Sequence, residues 1–244
     1  YFEGSPLAST GRPAGPIERE MLAPHEDAVR ADVLAGEWRP PISDGSGRDR
    51  RIIREALGPL REAGWAIRDG RLVDVATGEP MAFEILVATR PDERLALAYA
   101  RLLEPLGIDV SVRYVDAAQY QARLNAFDFD MIRVLWPSSL SPGNEQLFRW
   151  SADAADTEGS FNFAGAKSEA IDAMIAEMLA AEDRARFEAA VRALDRVLLS
   201  GFYVVPLYHS PVQWVARASR VVPPDTPSLT GIELETWGVD PAAR

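Results

Sequence analysis

Ile108, Val110, Val112 and Tyr114 alternate with Asp109, Ser111 and Arg113. That period of two predicts a strand over 108–115 with one apolar face. On either side of it the period changes. Met81–Ala88 is a continuous apolar run and predicts a buried strand. Leu95, Tyr99, Leu102, Leu103 and Leu106 recur at helical spacing, so 92–106 predicts a helix closed by Gly107. Asp116 can cap a further helix to about Ala126, with Tyr120 and Leu124 inward. A third apolar run, Phe129–Trp136, is ended by Pro137 and predicts a third strand. Strand, helix, strand, helix, strand with short links predicts an α/β fold. Its sheet should be mixed and mostly parallel, flanked by helices on right-handed crossovers.

The rest of the chain is less regular. Residues 1–16 read as coil and 17–34 as helical, interrupted at Pro24. After a loop over 36–47, a helix is predicted from about Arg48 to Ala63, with Ile52, Ile53, Ala56, Leu57 and Leu60 on one face. Gly64 ends it, and a hairpin turning at Asp69-Gly70 follows. Beyond a long loop at 151–165, Ser168 can cap a helix carrying Ile171, Met174, Ile175, Met178 and Leu179. A second helix, from about Arg184 to Ser200, buries Phe187, Val191, Leu194, Val197 and Leu198 and is ended by Gly201. Phe202–Tyr208 and Val212–Ala216 read as strands, with one more at Ile232–Trp237 in a Pro-rich tail. Long loops are uncommon inside compact domains. Trp38 and Trp237 lie on flanks with few elements to bury them. Those flanks are expected to pack on something absent from this chain, or on the 48–217 body.

Composition narrows the function classes. The 244 residues hold 37 acidic and 26 basic side chains, a net charge of −11. That disfavours a nucleic-acid surface, which needs clustered positive charge. With no cysteine there can be no disulfide, thiolate metal site or cysteine nucleophile. No run reaches the 18 or so apolar residues of a spanning helix. The chain opens Tyr-Phe-Glu-Gly without Met or a signal peptide, and reads as a mature or truncated piece.

A search for reaction chemistry is nearly empty. His25 and His209 are the only histidines, and no HExxH pattern surrounds either. A metal site is not expected. GxSxG, Walker and GxGxxG patterns are absent. Nothing in the sequence brings His209 to Ser139 as a base. The pairs Asp128/Asp130 and Glu233/Glu235 read as solvated strand faces in an acidic chain. A recognition site remains. In open α/β sheets, ligands bind beyond the carboxyl ends of the strands. There Trp136 can supply an apolar wall. Ser138, Ser139, Leu140, Ser141 and Asn144 follow it in a hydroxyl-rich loop around Pro142-Gly143. Such a groove suits a neutral polar polymer, peptide backbone or sugar. The same residues read equally as an ordinary connection, with Asn144 capping the next helix.

Several segments, in order, resemble the C-terminal half of the peptide/nickel class (family five) of extracellular solute-binding proteins. Arg51–Trp65 ends Leu-Arg-Glu-Ala-Gly-Trp, and Gly78-Glu-Pro-Met-Ala-Phe-Glu-Ile-Leu follows. Leu106–Val110, Phe127–Met131 and Tyr203–Tyr208, ending Val-Pro-Leu-Tyr, continue the likeness. Tyr1–Ala8, Arg39–Arg48 and Ser139–Glu145 are most similar to the microcin C/oligopeptide branch. The resemblance implies one lobe of a two-lobed, class II periplasmic-binding fold that closes on a ligand without catalysis. It implies that 1–74 runs from or into a first lobe, 75–214 forms the second lobe, and 215–244 returns to the first. It further implies an oligopeptide or peptide-like ligand, a membrane ABC permease as partner, a missing N-terminal half, a periplasmic location, and no cofactor. A receptor for another small solute such as a sugar, or a solute-sensing regulatory module, would share the fold. One departure stands out. Many peptide binders of the class carry an Asp in the loop after the Trp-ended strand, where it pairs with the ligand's α-amine. No acidic residue lies between Trp136 and Asn144 here.

Overall fold

The computed structural model describes residues 1–136, 141–207, 214–226, 228 and 231–241. It divides the chain into a unit Tyr1–Tyr203 and a unit Val204–Arg244. In the first, Pro16 opens helix α1 (Pro16–Leu22), since its fixed φ suits a first helical position. At Pro24 the helix tightens into a 3-10 stretch, Ala23–Ala28, before a short α2 (Ala31–Leu34). Helix α3 (Arg50–Glu62) starts where the Asp49 carboxylate accepts from the backbone nitrogens of Arg51 and Ile52. Strands β1 (Trp65–Arg68) and β2 (Arg71–Asp74) form the expected hairpin. Its turn residues, Asp69 and Gly70, are both left-handed (φ 50° and 79°), as a type I′ turn requires.

The regular middle follows the predicted order: β3 (Ala82–Val87), α4 (Arg90–Leu103), β4 (Asp109–Tyr114), α5 (Ala117–Asn125) and β5 (Met131–Ile132). The strands lie β4-β3-β5, all parallel, with Ile85 opposite Val112 on one side and Met131 on the other. Phe83, Ile85 and Val87 face α4, packing with Ala96, Tyr99, Val110, Val112 and Met131. As an edge strand, β4 buries neither face fully, and Tyr114 remains 42% exposed. Gly107 carries a φ of 77° before β4, and a Cβ there would come within 2.6 Å of the Leu72 nitrogen. The close approach lets that nitrogen donate to the Gly107 carbonyl at 2.8 Å.

The third strand is much shorter than the predicted 129–136. Asp130 uses its carboxylate, not its backbone, to accept from the Glu84 nitrogen at 2.9 Å. Phe127 is left-handed (φ 54°), and the rings of Phe127 and Phe129 turn to Phe163, each 6.5 Å between centroids. Side-chain packing, not strand pairing, therefore accounts for the start of that apolar run.

Beyond the sheet come α6 (Glu145–Trp150), α7 (Ala152–Ala155), α8 (Glu169–Ala180) and α9 (Arg184–Gly201). Helix α7 lies inside the stretch read as loop. Ile171, Met174, Ile175 and Met178 of α8 are buried, as are Val191, Leu194, Val197 and Leu198 of α9. The Ser168 side chain does not cap α8, whereas Asp183 caps α9 through the Arg186 nitrogen. Two adjacent residues of α9, Asp195 and Arg196, are wholly buried with opposite charges. Asp195 Oδ2 accepts from the nitrogen and hydroxyl of Ser9 (2.8 and 2.7 Å), and Oδ1 accepts from the Tyr1 nitrogen (2.8 Å). Arg196 pairs with Glu18 at 2.7 Å and donates to the carbonyls of Val33 and Arg12 at 2.7 and 2.8 Å. The N-terminal flank thus lies on the body, fastened to one helix by a saturated charge cluster.

Gly201 is the last residue of α9, and Phe202 (φ 50°) is its left-handed cap. The strand predicted at 202–208 is absent over its described part, 202–207. Trp214, Val215 and Ala216 form no strand either, and 208–213 fall outside the described residues. In the second unit β6 (Val221–Val222) pairs antiparallel with β7 (Gly238–Val239). The strand predicted at 232–237 is instead a 3-10 turn, Leu234–Thr236, closed by the Glu233 carbonyl.

Candidate ligand-binding site at the strand ends

A parallel sheet gathers its carboxyl ends on one edge. At that edge of β3, Thr89 caps α4: its hydroxyl accepts from the Asp92 nitrogen at 3.2 Å and donates to Asp92 Oδ2 at 2.6 Å. Past the end of β5, the Arg133 guanidinium reaches Asp92 Oδ1 at 3.3 Å. Tyr120 of α5 belongs to the same group. Burial and the nearby Asp92 charge push its hydroxyl above the ordinary range, and Arg133 opposes that shift. At the end of β4, Arg90 lies 4.3 Å over the Tyr114 ring. The strand ends therefore carry a connected polar set that no hydrophobic pattern announces.

Three residues past Arg133 an aromatic stack begins. Trp136 meets Trp150 edge-on, with centroids 4.9 Å apart. Trp150 is only 3% exposed and also contacts Tyr1 (5.1 Å) and Tyr203 (6.2 Å). Tyr203 folds back over Gly201, where a Cβ would fall 2.2 Å from its ring. Trp136 is thus backed by a fixed wall. Its indole Nε1 is buried and has no hydrogen-bond partner among the described residues. Such a donor costs roughly 1–3 kcal/mol unless something accepts from it.

The predicted lip is seen in part. Ser138, Ser139 and Leu140 lie outside the described residues. Ser141 is exposed and Pro142 is buried. Asn144 sits at the helix start in αR geometry, and its side chain makes no capping hydrogen bond. The Glu145 carboxylate turns back instead to the residue before the cap, both oxygens accepting from the Gly143 nitrogen at 3.0 Å. Burial pushes this carboxyl up, and its hydrogen bonds from Gly143, its own amide and Gln146, with the Arg149 charge, outweigh that and hold it below the usual range. The expected side-chain cap at Asn144 is therefore absent: the Gln146 and Leu147 nitrogens donate instead to the Gly143 and Asn144 carbonyls, at 3.0 and 3.1 Å. Sequence reasoning missed Thr89, Asp92, Tyr120 and Arg133. Two signals were present: the Thr-Arg-Pro-Asp start of a helix, and an arginine interrupting an apolar run.

Residues 26–158, which carry the whole parallel sheet and α6, match the model of bacterial extracellular solute-binding proteins, family 5, middle region. The chain belongs to that family. A putative binding protein of Brucella melitensis, BMEII0691, is 54% identical over 97% of the chain. The peptidoglycan-binding protein YepA of Agrobacterium fabrum is 44% identical over the same share. The chain spans 38% of the length of each. Among solved structures, the oligopeptide-binding protein AppA of Bacillus subtilis with a nonapeptide superposes at a TM-score of 0.59. The match is 16% identical and covers 96% of this chain and 46% of that one. A periplasmic oligopeptide-binding protein of Thermotoga maritima with bound mannohexaose gives 0.55, at 18% identity over 82% and 40%. These family-5 structures share its fold. No helix among the described residues is long and apolar enough to cross a membrane.

Proposed function

We propose that this family-5 chain contributes one lobe of a periplasmic substrate-binding component that delivers oligopeptides or peptide-like compounds to an ABC permease. The lobe binds and does no chemistry, and closure on ligand presents the receptor to the permease. Trp136, Ser138, Ser139, Leu140, Ser141 and Asn144 form the ligand-facing lip, backed by Trp150, with Arg133 and Asp92 beside it. Residues 1–74 and 215–244 would connect this lobe to the other.

The reading rests above all on one observation: a fixed aromatic wall at Trp136, followed in sequence by hydroxyl residues and by no acid up to Asn144. A peptide's free α-amine finds no counter-charge in that stretch. The ligand's N-terminus is therefore blocked, internal or not read. The name of the relative YepA fits this, because peptidoglycan peptides are joined through their N-terminal amide. Calorimetry of free and N-acylated forms of one peptide on the full-length protein tests the proposal. Equal or tighter binding of the acylated form is expected, and a tenfold preference for the free amine overturns it. A second reading, a sugar ligand, is favoured by the mannohexaose held on the same fold. It predicts binding of an oligosaccharide that carries no peptide.

A further inference from the structure

Residues 48–71 hold seven arginines against four acidic residues, a balance of +3, while the whole chain stands at −11 and everything else therefore at −14. The sign of the molecule inverts locally, on α3 and the hairpin after it. Of the seven, Arg51 is held by Asp49 and Glu55 (3.5 and 2.9 Å), and Arg71 by Asp109 (3.1 Å). Arg48, Arg50, Arg54, Arg61 and Arg68 are all exposed and have no acidic partner among the described residues. At roughly 100° per residue, Arg50, Arg54 and Arg61 fall within about 40° of each other. They form a row along α3. Arg54 and Arg61 are braced by donating to backbone carbonyls one turn back, Arg50 and Leu57 (3.2 and 3.1 Å).

The row borders the helix's apolar sector. Ile52, Ile53, Leu57 and Leu60 are half-buried, and no side chain of α3 is fully covered. Beside the helix start, Arg51 donates to the carbonyl of Ile42, whose side chain is 80% exposed. We infer that α3 is a docking face for an anionic phospholipid surface, with the arginine row on the headgroup phosphates and Ile42 entering the boundary. The complement is charge: five guanidiniums with no acidic partner among the described residues, on a stretch of +3 in a chain whose other residues sum to −14. A protein partner would require a buried aromatic or apolar anchor at the centre of the face. Helix α3 has no aromatic residue, and its isoleucines and leucines are half-covered already. An arginine face beside an apolar sector is the pattern of a helix lying in a membrane interface. The inference is independent of which ligand the strand ends hold.

Co-sedimentation of the full-length protein, in which residues 1–74 would meet the other lobe, with vesicles tests it. Binding is expected to phosphatidylglycerol-rich vesicles, not to phosphatidylcholine alone, and it should weaken steeply between 20 and 300 mM salt. Arg50→Gln/Arg54→Gln/Arg61→Gln should lower the partition coefficient roughly 100-fold, since each arginine near an anionic surface counts for several-fold. Arg19→Gln/Arg94→Gln/Arg184→Gln removes equal charge from three other helices and should lower it no more than about fivefold. Far-ultraviolet circular dichroism checks that each variant is folded. Failure of the unaltered chain to bind anionic vesicles at low salt overturns the inference. So does an equal loss in the two triples, or a row variant that binds vesicles normally yet no longer binds the permease in detergent.

Discussion

Two regions of the first unit treat polar groups in opposite ways. On α9, Asp195 and Arg196 are fully buried, and both Asp195 oxygens and all three Arg196 nitrogens are matched to partners. At the strand ends, the buried indole nitrogen of Trp136 is left without a described partner. The first arrangement is what a buried charge requires if it is to be tolerated at all. The second costs about 1–3 kcal/mol, which an acceptor arriving from outside would return. A saturated cluster specifies one structure, and the unsatisfied donor is the group that the proposed ligand would satisfy.

The sharpest way to break this contrast is at Arg196. Arg196→Met leaves the Glu18 carboxylate buried without a counter-charge and frees the carbonyls of Arg12 and Val33. A loss of about 3–5 kcal/mol is expected in urea unfolding. Adding Glu18→Met should return most of it, because two apolar side chains can fill a space that one stranded charge cannot. A single substitution costing under about 1 kcal/mol would show that the N-terminal flank is held by something else.

Trp136 tests the other side. Trp136→Phe keeps a ring against Trp150 and removes only the orphaned donor. Stability should stay level or rise by up to about 1 kcal/mol, whereas ligand affinity of the full-length protein falls about 5- to 10-fold. The reverse pattern, lost stability with unchanged affinity, would make Trp136 a core residue like Trp150.

How much of this could be read in the chain follows the same division. Strand β4 and helices α4, α5, α8 and α9 were legible because one apolar face repeats at a fixed period, and β3 because its apolar run is unbroken. Run 129–136 was misread because Phe127 and Phe129 pack onto Phe163, and an apolar ring looks the same in sequence whether its backbone pairs or not. The Asp195–Arg196 cluster was invisible: both residues interrupt an apolar helix face and read as solvated, and their partners lie up to 194 residues away. At the strand ends Trp136 was legible as the last large residue before Pro137. Asp92, Tyr120 and Arg133 were not, since three separate elements bring them together.

The smallest expected effect sharpens the lip itself. Asp116 and Asn144 look alike in sequence, each a short polar residue just before a helix. Asp116 accepts from the Gln119 nitrogen at 2.8 Å, so Asp116→Ala should cost about 1 kcal/mol. At Asn144 the Glu145 carboxylate already takes the neighbouring backbone donor, and the exposed amide caps nothing. Asn144→Ala should therefore move the unfolding midpoint by no more than a few tenths of a kcal/mol, within the scatter of surface substitutions. If the same variant weakens ligand binding, Asn144 is present for recognition and not for the helix. A stability loss matching that of Asp116→Ala would return it to the ordinary role of a cap and remove it from the lip.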